Sequence, residues 1–192
     1  MKDTLKRANT ITLNKNLLPF ACEAARQESE GYINRDKGYA EIKPNKPRIE
    51  EIIEFARRMK YKRLGLAFCV GLRAEAKVVH ELFESACFEM VSVACKAGCL
   101  SKSELGLTQA EHVDTTCEVE TVCNPVFQAE VVNDSEVELN VILGLCVGHD
   151  SLFIKQAKAP VTVLAAKDRM FAHNPLGAVY QIDAYCRYLK NI

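Results

Sequence analysis

The chain is 192 residues long and 48% apolar, with 25 Lys+Arg set against 25 Asp+Glu. That length suits one sizeable domain with a real core. A balanced charge without a basic stripe argues against nucleic acid or an anionic membrane as partner. No apolar segment is long enough to span a bilayer, and residues 1–20 carry lysines throughout instead of a signal-type apolar run, so the sequence predicts a soluble cytoplasmic protein. In that compartment thiols stay reduced. Nine cysteines, an odd number, therefore point to metal binding or thiol chemistry more than to disulfides.

Residues 1–16 read as polar and loose, 17–30 as a short helix ended by Gly31, and 33–46 as a loop with Gly38, Pro44 and Asn45 as turn formers. Together, 1–46 read as an extension preceding an α/β domain over 47–192. Pro47 opens a helix with Ile49, Ile52, Ile53, Phe55 and Ala56 as its apolar stripe. A strand over 64–69 follows, then a helix over 73–88 with Ala76, Val79, Leu82, Phe83 and Ala86 on one side, then a strand over 90–95. The pattern weakens between Gly98 and Glu136, where only Asn124-Pro125 marks a helix start, running to about Val132. The most apolar stretch, 139–146, is the third strand. A helix over 151–157, a strand over 161–166 and a helix from Asn174-Pro175 to Leu189 complete the chain. Strands alternating with helices predict a three-layer α/β sandwich around a mostly parallel sheet of about four strands, Rossmann-like or flavodoxin-like in order.

Two runs are nearly identical: Leu66-Ala-Phe-Cys-Val-Gly71 and Leu143-Gly-Leu-Cys-Val-Gly148. Each is an apolar run that stops on a cysteine before a turn and a helix. Val91-Ser-Val-Ala94 stops on Cys95 in the same way. Ligands of parallel sheets bind outside the carboxyl ends of the strands, so Cys69, Cys95 and Cys146 are directed to the edge where such folds place their chemistry. Cys123 precedes the cap of the Asn124 helix, near a positive dipole end. His149 and Asp150 follow Cys146, and the last strand exits into Asp168, Arg169 and His173. Clustered thiolates repel one another unless a cation shares them, and soft sulfur ligands select zinc, copper(I) or iron–sulfur clusters.

Other readings stand beside this one. Free cysteine often packs as a small hydrophobe, which is the reading preferred for Cys22, Cys87 and Cys186. His80 reads as a surface or packing side chain, His112 as solvated, and Asp168-Arg169 as a local ion pair. Gly71 and Gly148 could let a helix N-terminus cradle phosphate, but neither turn matches a dinucleotide or Walker pattern.

The runs Gly65–Leu72, Cys95–Gly98, Cys123–Glu130, Gly144–Asp150, Ala159–Thr162, Lys167–Arg169 and His173–Leu176 together resemble a domain-of-unknown-function family, DUF1847. Its members are described as predicted metal-binding proteins of anaerobic bacteria and archaea. The resemblance implies Cys69, Cys95, Cys123, Cys146, His149, Asp150 and His173 as the site, and implies no established reaction. Family members open with a cysteine-rich segment, whereas residues 1–21 here contain no cysteine.

The leading expectation is a site for a transition metal, as zinc or an iron–sulfur cluster, held by Cys69, Cys95, Cys123 and Cys146. His149 and His173 are further ligands or outer partners, Asp150 orients an imidazole, and a redox role is open. An alternative is a metal-free thiol enzyme. Cys146 or Cys69 would be its nucleophile, His149 or His173 the base, Asp150 or Asp168 the orienting acid, and Arg169 or a helix N-terminus the hold on an anionic substrate. A third reading is a small-ligand or nucleotide binder whose cysteines only pack.

Overall fold

The computed structural model describes residues 1–191, which divide into two compact units, Met1–Lys62 and the chain from Arg63 onward. The first unit holds helices α1 (Lys2–Thr12), α2 (Leu18–Glu30) and α3 (Arg48–Arg58). The loop expected before α3 contains a small antiparallel pair, β1 (Tyr32–Ile33) and β2 (Lys43–Pro44). Phe20 of α2 meets Phe55 of α3 edge to face at 5.1 Å. Arg58 pairs with Glu23 and Glu30 across the same two helices. The segment expected to be loose is thus mostly helical in α1, whose Leu, Lys, Arg and Ala are good helix formers, although none of its residues is buried.

The second unit is built on four parallel strands: β3 (Arg63–Phe68), β4 (Glu89–Ala94), β5 (Leu139–Leu143) and β6 (Val161–Ala165). Their order is β4-β3-β5-β6. Helices α4 (Arg73–Ser85), α5 (Pro125–Asp134), α6 (His149–Gln156) and α7 (Leu176–Tyr180) alternate with or follow them. This is the three-layer α/β sandwich that the alternating pattern predicts.

Side chains alternate faces along a strand. The pattern divides the core accordingly. Ala67, Cys69, Val93, Cys95, Ile142 and Leu145 share one buried cluster with Ala129 and Val132 of α5 and Phe153 of α6. Leu64, Leu66 and Val141, of the other strand parity, are equally inaccessible. Cys69 and Cys95 are therefore the last residues of the face that α5 and α6 cover.

Two elements are shorter than the apolar pattern suggests. β5 stops at Leu143, three residues before Cys146, because Gly144 turns the backbone to φ +66°. A side chain at Gly144 would also overlap Leu72, so glycine is required there on two counts. The last helix covers only Leu176–Tyr180, followed by turns and a 3-10 segment at Arg187–Asn191. No residue of α7 is buried and Val179 and Tyr180 are exposed. Without a packed face a short helix has little to sustain it.

Candidate functional site

Backbone hydrogen bonds extend the sheet by one residue past the ends of β3 and β4 and fix the cysteines there. Cys69 N–H donates to the Leu143 carbonyl (3.1 Å), Cys95 N–H to that of Phe68 (2.9 Å), and Asn124 N–H to that of Cys95 (2.7 Å). The last of these bonds sets Cys123 beside the end of β4. Asn124 then caps α5, its Oδ1 accepting from Phe127 N–H at 2.9 Å, with Pro125 in the first turn as the sequence pattern requires. Cys146 lies in the turn after Gly144. Its carbonyl accepts the N–H groups of His149 (3.0 Å) and Asp150 (3.1 Å), which starts α6.

The side chains converge further. The Sγ atoms of Cys95 and Cys123 are 3.3 Å apart, in hydrogen-bond contact. Val70 N–H donates to Cys95 Sγ at 3.3 Å. Lys167 Nζ donates to Cys69 Sγ at 3.3 Å, and Arg169 donates to Cys146 Sγ at 3.1 Å. Cys69 and Cys95 are buried, while Cys123 and Cys146 are half-buried.

The two bonded thiols divide their proton unequally. The hydrogen bond with Cys123, then burial, pushes Cys95 far above the ordinary thiol range. The hydrogen bond with Cys95 holds Cys123 below it, against burial and against the like charges of Cys146 and Cys69. Cys123 is thus the member of the pair that ionises first. Cys69 and Cys95 share one buried cluster, with Cys123 packed against it.

The histidines and acids around them are differently engaged. His149 Nδ1 is buried and has no hydrogen-bond partner. Asp150 Oδ1 accepts from Ser151 N–H at 2.7 Å at the start of α6. His173 Nδ1 accepts from Asp168 N–H at 3.2 Å within its own loop. Asp168 Oδ1 accepts from Met170 and Phe171 N–H, both at 2.8 Å, so its carboxylate shapes the local turn while Arg169 reaches Cys146.

Cys22, Cys87, Cys99 and Cys117 are exposed and Cys186 is buried. Cys87 does not pack in the core as its apolar surroundings suggest; it occupies a left-handed turn after α4, at φ +70°. His112 is buried instead of solvated, and its Nδ1–H donates to the Cys117 carbonyl at 3.0 Å.

Two residues of the site carry no role in the sequence reading. Lys167 is one. The other is Gln128 of α5, which is fully buried. Its Nε2 donates to the Val93 carbonyl (2.6 Å) and the Phe68 carbonyl (3.2 Å), tying α5 to β4 and β3 just before their cysteines. The signal available for Gln128 was a lone amide between Pro125 and Val132, where the helix is otherwise mostly apolar.

Thiols are the donors that a soft metal takes, and two of them, Cys95 and Cys123, are in contact. The Cys95–Cys123 separation is close to the edge of a tetrahedral thiolate site, about 3.8 Å for zinc–sulfur bonds of about 2.3 Å. Among the described residues, no three His, Cys, Asp or Glu side chains form a group that could hold a metal ion. Cys95 and Cys123 are the thiols in mutual contact, while Cys69 and Cys146 accept from Lys167 and Arg169.

Residues 1–164 match a family described as a protein of unknown function. The chain is 45% identical over 135 residues to an uncharacterised protein, MJ0455, of Methanocaldococcus jannaschii, which covers 70% of this chain and 67% of that protein. The family match takes in all four clustered cysteines and ends before Lys167 and Arg169. The chain belongs to the DUF1847 family.

Proposed function

We propose that this protein holds a soft transition-metal ion or an iron–sulfur cluster through the thiolates of Cys69, Cys95, Cys123 and Cys146, with His149 as the adjacent nitrogen donor. The observation that carries this reading is the 3.3 Å approach of Cys95 and Cys123, which lie 28 positions apart in the chain. Cys69 and Cys146 are near enough to oppose the ionisation of Cys123. Thiolates packed this closely repel one another, and a shared cation removes that penalty.

Asp150 and His173 support the site from outside. Asp150 fixes the start of α6 beneath His149, and His173 orders the loop that carries Arg169. When bound, the metal would supply Lewis acidity or electron transfer. The chain's own residues bind it, exclude water with the α5 and α6 face, and balance its charge. A second reading rests on Cys123 alone: its lowered proton affinity suits a nucleophile, with Cys95 as its proton partner. Cys69 and Cys146 bond to cations in this arrangement, not to an imidazole base.

The test is metal loading of anaerobically reduced protein by zinc titration and, separately, by iron–sulfide reconstitution. One metal ion or one cluster per chain, lost on replacing Cys95 or Cys123, is the expected result. No uptake in either experiment would overturn the proposal.

A further inference from the structure

Cys123 is held by the backbone on both sides. Val122 N–H donates to the Leu100 carbonyl (2.8 Å) and Asn124 N–H to the Cys95 carbonyl (2.7 Å). Ser101 and Thr121 pair antiparallel just beyond. Gly98 permits this close approach, since a Cβ there would stand 3.0 Å from Asn124 Nδ2 and 3.1 Å from two side-chain carbons of Phe127. Cys95 Sγ is held in turn by Val70 N–H at 3.3 Å. The fold thus pins both thiols before any bond joins them, with their sulfurs 3.3 Å apart. They differ in access, for Cys95 is 2% exposed and Cys123 is half-buried.

We infer that Cys95 and Cys123 form a dithiol–disulfide exchange centre for low-molecular-weight disulfides, with Cys123 the attacking sulfur and Cys95 the resolving one. Exchange needs both thiols free of metal, so the inference goes beyond the ligand reading above. In the first step Cys123 gives up its proton and attacks one sulfur of a disulfide R–S–S–R. A Cys123–S–S–R bond forms, the R–S–S–R bond breaks, and the departing RS− takes a proton to become RSH. In the second step Cys95 gives up its proton and attacks Cys123 Sγ. The Cys95–Cys123 bond forms and a second RSH leaves. Two electrons and two protons pass from the dithiol to the small disulfide. The first attack falls to Cys123 because exchange depends on access to the sulfur. A half-buried sulfur is reached by a disulfide whose own sulfurs stand clear of bulk, as in small linear disulfides. When an outside thiol reopens the bond at Cys123, Cys95 departs as a thiolate that Val70 N–H already faces, a charge-assisted bond.

The test treats the reduced, metal-free chain with bis(2-hydroxyethyl) disulfide and follows it by acid quench and peptide mass spectrometry. Wild type should pass through a mercaptoethanol adduct on Cys123 and end as a Cys95–Cys123 cross-link, while the exposed Cys22 and Cys87 keep their adducts. Added 2-mercaptoethanol should return the pair to thiols. Cys95→Ala should stop at the Cys123 adduct, and Cys123→Ala should leave Cys95 unmodified. Should an alanine variant lose its native circular dichroism, the wild-type time course decides, through the order of adduct and cross-link. An adduct that persists on Cys123 in wild type, one that forms on Cys95, or resolution by another cysteine overturns the inference. Zinc uptake without exchange overturns it and leaves the ligand reading intact. Exchange without zinc uptake supports it and removes that reading.

Discussion

Cys95 Sγ lies 3.3 Å from Cys123 Sγ, although one thiol ends a strand and the other precedes a helix cap. The contact follows from a single backbone bond, Asn124 N–H to the Cys95 carbonyl at 2.7 Å, which lays the approach to α5 across the end of β4. Bond formation between these sulfurs needs only a closing of the gap to about 2.05 Å. In metal-free protein, a two-electron oxidant of the diazenedicarboxamide class should take two electrons and two protons from this pair before it affects any other. Mass spectrometry of the digested protein should find a Cys95–Cys123 peptide, and zinc added beforehand should protect against it. A dominant disulfide elsewhere would show that the thiols do not meet as described.

The unequal proton sharing gives a pH dependence with a definite sign. Cys123 ionises below the ordinary thiol range because Cys95 stabilises its thiolate. Alkylation of Cys123 by iodoacetamide in metal-free protein should therefore reach half its maximal rate below the free-thiol value of about 8.5. Cys95→Ala removes the stabilising partner and should move the midpoint upward. Rates resolved by peptide mass spectrometry across a pH series check both statements. An unmoved midpoint would contradict the hydrogen bond.

Gln128 gives a test of how the strand ends are held. Gln128→Leu removes the donor to the Val93 carbonyl, leaving that acceptor buried beneath α5, and should cost about 1–3 kcal/mol in denaturant unfolding. It should also speed metal loss, because the Phe68 and Val93 carbonyls immediately precede the site. A stability loss with unchanged metal retention would confine Gln128 to a packing role.

Cys146 and Cys186 separate ligand from core. Cys186→Ser buries a hydroxyl at a fully inaccessible position and should cost about 1–3 kcal/mol, with metal content unaffected. Cys146→Ser, at a half-buried turn, should unfold near the wild-type midpoint yet lose metal. Equal losses of stability in the two, with metal retained in both, would make these cysteines packing residues alike.

The parallel sheet was legible because buried strands read as unbroken apolar runs, and three of the four stop within a residue of their expected ends. β5 ended early because an apolar run does not show that Gly144 needs a positive φ. That Cys69 and Cys95 each close a parallel strand was legible in their apolar runs, whereas the pairing of those two strands came only with the sheet order. The contact of Cys123 with Cys95 was not legible, since it depends on a loop bond formed across 28 residues. Lys167 and Gln128 escaped for another reason. A lysine after a strand and an amide in a helix are ordinary in sequence, and only the fold brings their nitrogens to a thiol and to two carbonyls. His112 reads as solvated from its acidic neighbours and is buried, because the capped turns at Lys102–Leu105 and Gln109–Glu111 give the weakly patterned segment more structure than its composition suggests.

If these thiols are metal ligands, sulfur must surround the bound ion. X-ray absorption at the metal edge, on protein purified without exposure to air, should find a coordination sphere dominated by sulfur, near about 2.3 Å if the metal is zinc, that disappears in a Cys95→Ala/Cys123→Ala double variant. A metal bound only by nitrogen and oxygen, or a sulfur shell unchanged in that variant, would contradict the ligand reading.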